Sequence, residues 1–575
     1  MLIRVGTPPS ILAGPLTPNG LHIKVAEVIR SEESSCWHLE NVLSIDPQHP
    51  QTRAPVCFAV AVASGISRLA TLSQAGPLWM DSPAIARIFQ QLFTRPSRHC
   101  LRCSRAPSRT SVPSVQQRRT YALRRRQDDK DGGSAWQQRI DAFPRDMSRQ
   151  LKEYPRVTAQ DLRHRTQRPR RVKMLTRDFI EDSLYNPNYG YFSKHATIFN
   201  AGTPFDFPTI KDGAEFNRMV DLSYMEFEDA LDEVAPDETR QLWHTPTELF
   251  RPYYGEAIAR YLVTNYKMTL FPYHDLIIYE MGAGNGTLMR NILDYIIQND
   301  PEVHSRTKFK IIEISSSLAD LQLTSIQRSP YAADHVDHIQ ILNRSIFDWK
   351  EYVHSPCFFL ALEVVDNFPH DCLRYDPETE EPLQGSVLID EDGEFFEFYD
   401  RNIDPVALRY LRVREVAARS PFTTPVSPPR FLRRLRHSLP LAPNLTKPEY
   451  IPTRLLQFFD VLHQYFPAHR LVLSDFDYLP DAVPGLNAPV VQTRYQRRNV
   501  QVSTPFVHQG YFDIFFPTDF AMMEDVYRAI TGKLTRVSSQ RAFLESWALL
   551  EQTQVRSGEN PLLSWYANAS VMTTV

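Results

Sequence analysis

Gly282, Gly284 and Gly286 stand two residues apart, behind the apolar run Leu276-Ile277-Ile278-Tyr279 and the acid Glu280. From Thr287 onward, Leu288, Ile292, Leu293 and Ile296 return at helical spacing. A strand, a tight glycine turn and a helix start let main-chain N–H groups approach a ligand closely. Glycine leaves the room, and the first helical turn has unused donors. Two ligand classes are excluded by the spacing. A phosphate loop closes on Gly-Lys-Ser/Thr, and no lysine follows here. The dinucleotide fingerprint needs a third glycine at the position held by Thr287. About 30 residues beyond Glu280 a second acid, Glu313, ends the stretch Phe309–Ile312. A carboxylate at that strand tip can accept both hydroxyls of a ribose. Further acids follow the next two apolar stretches: Asp348 after Ile339–Leu342, and Glu363 and Asp366 after Cys357–Leu362.

These residues need an open α/β sheet to hold them together. Ligands in such sheets sit beyond the carboxyl ends of the strands, near the point where strand order reverses. The four apolar stretches, with Leu471–Asp475 as a fifth, place every one of these acids at a strand end. The fourth strand is expected beside the first. Asp366 also suits a helix N-cap, where a dipole favours negative charge.

The spacing G-x-G-x-G after a strand-end acid resembles the S-adenosylmethionine (SAM) loop of Rossmann-like methyltransferases. Other pieces, in order, resemble the MidA family of methyltransferases. They are Pro187-x-Tyr189-Gly190-Tyr191-Phe192, Thr245-Pro246-Thr247-Glu248 with Tyr254-Gly255-Glu256, and Glu280 to Leu288. They continue with Glu313-Ile314-Ser315, Glu363 to Pro369, Asp475-Phe476-Asp477-Tyr478, Thr493-Arg494-Tyr495 and Phe512-Asp513-Ile514. Thr247 stands where the family has proline, Leu362 where it has asparagine, and Val364-Val365 where it has two phenylalanines. The resemblance spans roughly 175–535. It implies a class I methyltransferase with a mostly parallel seven-stranded sheet and helical N-terminal and inserted segments. It further implies SAM as cofactor, held by Glu280, Gly282, Gly284, Gly286, Thr287 and Glu313, with Asp348 at the adenine. Mitochondrial members of the family are complex I assembly factors that methylate protein arginine. A guanidinium is cationic and needs carboxylates to hold its fork. Glu363, Asp366, Glu248 and Glu256 are the acids expected at the acceptor, Glu363 first. Two other outcomes are compatible with the residues: a methyltransferase-fold assembly chaperone, and a small-molecule methyltransferase.

Composition frames this reading. The 575 residues carry 64 basic and 67 acidic side chains, so a whole-chain nucleic-acid binder is not expected. Six scattered cysteines give no disulfide framework, no ligand set points to a metal, and no apolar run is long enough to span a membrane. Residues 1–79 lack periodicity and read as a disordered or non-native extension. Residues 80–121 are rich in arginine and serine, poor in acids, and place Ile85, Ile88, Phe89 and Leu92 on one helical face. That is the pattern of a mitochondrial transit peptide, which directs the chain to the matrix. Residues 122–174 read as polar linker and 175–545 as the methyltransferase domain. An acidic insertion at 200–240 and a Pro/Arg-rich one at 420–452 read as surface excursions, and 546–575 as a C-terminal tail. The partner expected is a complex I core subunit.

Overall fold

The computed structural model describes residues 136–137, 145–194, 196–429, 431–432 and 443–575. The stretches 1–79 and 80–121, read above as an extension and a transit peptide, and the arginine cluster at 430–436 (431–432 apart) lie outside these residues.

The central sheet is built on Leu276–Met281 (β1), an apolar strand buried on both faces because neighbours flank it on either side. Thr307–Ile312 (β2) and Ile339–Leu342 (β3) extend the sheet one way. Cys357–Leu362 (β4) and His469–Phe476 (β5) extend it the other. Thr535–Ser539 (β6) and Ala569–Thr574 (β7) complete it. The order is β3-β2-β1-β4-β5-β7-β6. β1 to β5 pair in parallel, and β7 runs antiparallel to both its neighbours. The order reverses between β1 and β4, which opens a crevice at their carboxyl ends. This is a Rossmann-like arrangement, and the five expected strands lie where the apolar stretches put them.

One core joins Phe359 of β4, Leu473 of β5 and Met572 of β7 to Phe458 and Phe459 of the helix Thr453–Tyr465 and to Tyr527 of the helix Phe520–Thr531. Burying each such side chain contributes roughly 1.5–3 kcal/mol. The stretch 546–575 is therefore not a tail: β7 is an interior strand, with Val571 and Met572 in the core.

A second sheet carries the segments that close over the crevice. It pairs Pro382–Ile389 with Phe395–Asp400, Asp371–Tyr375 and Val172–Leu175. Part of the expected linker thus folds: Val172–Leu175 is a sheet strand, and Thr158 and Asp161 form a capping box. The Pro/Arg-rich excursion also supplies a strand, Glu449–Ile451. The acidic stretch at 200–240 contains the helix Gly213–Val234. Its Glu228 is buried and takes the guanidinium of Arg494, while Asp229 and Asp232 each hold Arg497 at 2.6 Å. Acids that look like a solvated run are here paired with arginines more than 250 residues away, which no local pattern reveals.

Candidate active site

The turn after β1 has Gly282, Gly284 and Gly286 at φ of 72°, 53° and 75°. A left-handed conformation at three alternate positions is costly for any residue with a Cβ, which explains the spacing. Gly286 caps the helix Thr287–Asn299. The expected acid Glu313 stands just past β2, where it accepts from the Ser315 N–H at 2.9 Å and from Gln322 Nε2 at 3.0 Å. The same Gln322 amide reaches the Gly284 carbonyl at 3.0 Å, tying the ribose-type acid to the glycine turn. Gln322 is not among the expected site residues; the helix Ser316–Ile326 brings it back to Glu313.

Two cavities meet at this turn, and Ile198, Met281 and Gly282 line both. The larger, an open cleft, brings Gly282, Gly284, Glu313 and Asp348 together. Its far wall comes from the N-terminal segment, through Arg163, Glu181, Asp182 and Tyr185. Asp348 is half exposed and faces Arg163 at 3.4 Å. The smaller cavity lies beside Thr245, Tyr254, Glu280, Ala283, Asn285 and Glu363.

The four acids expected at the acceptor separate. Glu363 is buried at φ 52°, in the smaller cavity rather than the cleft. Asp366 lines neither cavity. Its N–H donates to the carboxylate of Asp475 at 3.1 Å, its carbonyl accepts from the Phe516 N–H, and its neighbour Asn367 faces the cleft instead. Glu256 points along its own helix to Arg260 at 3.0 Å, clear of both cavities. Glu248 is buried and its oxygens are taken: Thr287 donates to it at 2.7 Å, Asn285 at 3.1 Å, Asn200 at 3.2 Å and Arg251 at 3.1 Å. It fixes the glycine turn and the start of the following helix. The adjacent Gly255 has a packing reason, since a Cβ there would lie 2.6 Å from the Asn291 side chain.

Asp475, absent from the expected set, organises the turn after β4. Its carboxylate accepts the N–H groups of Val365 at 2.9 Å and Asp366 at 3.1 Å. Burial, then the neighbouring Asp366, push its carboxyl well above the usual range. Burial and then the charge of Glu363 likewise raise the phenols of Tyr254 and Tyr566.

Glu280 is the carboxylate best suited to receive a cation. It is 5% exposed, its Oε2 has no hydrogen-bond partner, and burial pushes its carboxyl up to about 8. Besides the fully engaged Glu248, two buried carboxylates, Glu280 and Glu363, face one small cavity beside the glycine turn. These residues fit SAM. Glu313 and Asp348 would hold its nucleoside end, and Glu280 and Glu363 the ammonium of its amino-acid end.

A glycine turn and strand-tip acids arranged this way on a Rossmann-like sheet define the methyltransferase class that uses SAM. The chain matches, over residues 257–538, the family described as "Putative S-adenosyl-L-methionine-dependent methyltransferase". It is a SAM-dependent methyltransferase. The chain is 26% identical over 392 residues to a Schizosaccharomyces pombe protein named "Protein arginine methyltransferase NDUFAF7 homolog, mitochondrial", covering 65% of this chain and 80% of that one. It is 22% identical over 350 residues to a Saccharomyces cerevisiae protein of the same name, covering 56% and 77%. A Burkholderia thailandensis structure with S-adenosyl-homocysteine bound aligns with a TM-score of 0.44 at 15% identity, over 70% of this chain and 88% of that one. Among the described residues no helix is long and apolar enough to cross a membrane, and no cluster of His, Cys, Asp and Glu could hold a metal ion.

Glu280 is expected to make cofactor binding depend on pH. Its carboxyl, raised to about 8 by burial, keeps its proton at pH 7 in the free protein. A nearby ammonium favours the carboxylate, so binding must release that proton. SAM affinity is expected to climb between pH 6 and pH 8, by up to about tenfold per unit, and to level off above that. Calorimetry in two buffers of different ionisation enthalpy reads the proton directly. A flat profile with no proton released would remove Glu280 from the site.

Proposed function

We propose that the chain is a mitochondrial protein arginine N-methyltransferase, working in the matrix on a subunit of complex I. The observation that carries this reading is the charge of the cleft. Glu181, Asp182, Glu313 and Asp348 line it against two guanidinium groups, Arg163 and Arg454. With Glu313 and Asp348 assigned to the cofactor, Glu181 and Asp182 on the far wall remain to face a cationic acceptor. The relatives named as mitochondrial protein arginine methyltransferases support the same acceptor and compartment, and complex I follows from the resemblance to the MidA family.

When bound, SAM supplies a sulfonium methyl group open to in-line attack. The chain's task is then alignment and water exclusion. The turn Gly282–Gly286 and Gln322 fix the cofactor side. Glu280 and Glu363 neutralise an ammonium in the smaller cavity. Aromatic side chains from the N-terminal segment, Tyr185 and Phe192, and Phe347 after β3 shield the cleft from water. Glu181 and Asp182 would hold the acceptor, and one of these carboxylates would accept the proton its nitrogen loses.

Incubation of the purified protein with methyl-labelled SAM and mitochondrial extract tests the reading. Acid hydrolysis of the labelled protein should release methylarginine. Label confined to small molecules, or to lysine, would overturn it.

A further inference from the structure

An arginine of the chain itself already sits in the cleft. Arg454 places its Nη2 2.5 Å from Glu181 Oε1, and its Nη1 donates to Gln457 Oε1 at 2.9 Å. Its guanidinium carbon lies 4.0 Å from the ring centroid of Phe347. A carboxylate on the edge and an aromatic face on the flat side are what a planar cation requires. Arg454, Glu181 and Phe347 line the same cleft as Gly282, Gly284 and Glu313.

The other cleft acids are differently engaged. Glu313 is committed to Ser315 and Gln322. Asp182 accepts from the Tyr189 hydroxyl and from Asn186. Asp348 is 51% exposed, against 27% for Glu181, and has no ring beside its guanidinium partner comparable to Phe347. Glu181 is thus the cleft carboxylate best placed to grip a guanidinium.

The hold on Arg454 is weak enough to be exchanged. Arg454 is the second residue of the helix Thr453–Tyr465, where the dipole disfavours a cation. Both side chains keep about a fifth to a quarter of their surface in water (21% and 27%), so the pair is partly screened.

We propose, resting on the arginine reading above, that Glu181 and Phe347 form the seat for the acceptor guanidinium and that Arg454 occupies it in the resting protein. An acceptor arginine binds by displacing Arg454 from Glu181. The contact is an internal stand-in that excludes poor competitors, and Glu181 sets specificity for a planar cation over an ammonium.

The test titrates Nα-acetyl-arginine amide, and separately its lysine analogue, into the full chain with S-adenosyl-homocysteine present, followed by saturation-transfer NMR. Arg454→Ala should bind the arginine probe about 3- to 10-fold more tightly than the unmodified chain. Glu181→Gln should bind it at least tenfold more weakly, with S-adenosyl-homocysteine affinity unchanged in both. Arg454→Gln serves if the alanine variant melts early. Unchanged or weaker probe binding in both Arg454 variants overturns the stand-in, and unchanged binding in Glu181→Gln overturns the seat. If both substitutions only lower the melting temperature, the pair is a clamp and the proposal fails. Failure of the seat while the unmodified chain still produces methylarginine leaves the arginine reading standing. Equal binding of the lysine probe, with no methylarginine formed, overturns both.

Discussion

Gly284→Val should reduce SAM affinity at least 100-fold while the far-ultraviolet spectrum stays that of the folded chain. Gly284 sits at φ 53°, and valine is among the residues least able to adopt that conformation. The strain alone costs about 1–3 kcal/mol. To relieve it the turn must move, which withdraws the Gly284 carbonyl from Gln322 and so loosens Glu313. The substitution also puts two methyl groups at the wall of the cleft. Both faults fall on the cofactor side, because the strand before the turn and the helix after it are held by their own cores. Calorimetry with SAM reads the loss. Affinity within about threefold of the unmodified chain would show that the three glycines serve the turn alone.

The glycine turn was legible because its requirement is local: backbone shape and a helix start lie within ten residues of one another. The strand-tip acids Glu313 and Asp348 were legible for a related reason, since an open sheet puts the ends of consecutive parallel strands along one edge. β1 to β5 announce themselves as apolar runs. β6 and β7 do not. Thr535–Ser539 is mostly polar and half-buried at the sheet edge, and Ala569–Thr574 mixes Ser570, Thr573 and Thr574 with its core residues. Only its place between β5 and β6 makes the latter an interior strand.

The acceptor acids were harder. Glu363, Asp366, Glu248 and Glu256 were grouped by residue type and by nearness to expected strand or helix ends, yet side-chain direction decides what each can touch. One residue of turn separates Asn367, in the cleft, from Asp366, buried against Asp475. Glu248 looks like a free carboxylate in sequence, and its four donors come from positions spread between Asn200 and Thr287. Glu181 carried no signal at all, because the residues that make it a guanidinium seat, Phe347 and Arg454, lie far along the chain.

Glu363→Gln should weaken SAM binding about 10- to 150-fold and at the same time raise the melting temperature of the cofactor-free protein. Sequence reasoning placed Glu363 at the acceptor, where the exchange would slow transfer and leave cofactor affinity alone. Its position beside Glu280 in the smaller cavity changes the expectation. A charge-assisted hydrogen bond is worth roughly 1.5–3 kcal/mol, and removing the charge on Glu363 forfeits that amount against the cofactor's ammonium. Without a cofactor the same charge is a burden. It is buried, and it raises Asp475 further. Relieving that repulsion stabilises the free chain by on the order of 1 kcal/mol. The main chain should hold its shape, because Glu363 donates its N–H to the Ser474 carbonyl at 2.7 Å and Asp475 grips the next two N–H groups. The opposite signs are the diagnostic. A damaged fold would lower melting temperature and affinity together, and an acceptor-side role would leave affinity intact while the turnover rate falls. A residue with φ 52° and a side chain longer than asparagine is strained in the free protein, and such strain clusters at ligand sites, as the expected loss of affinity would require of Glu363.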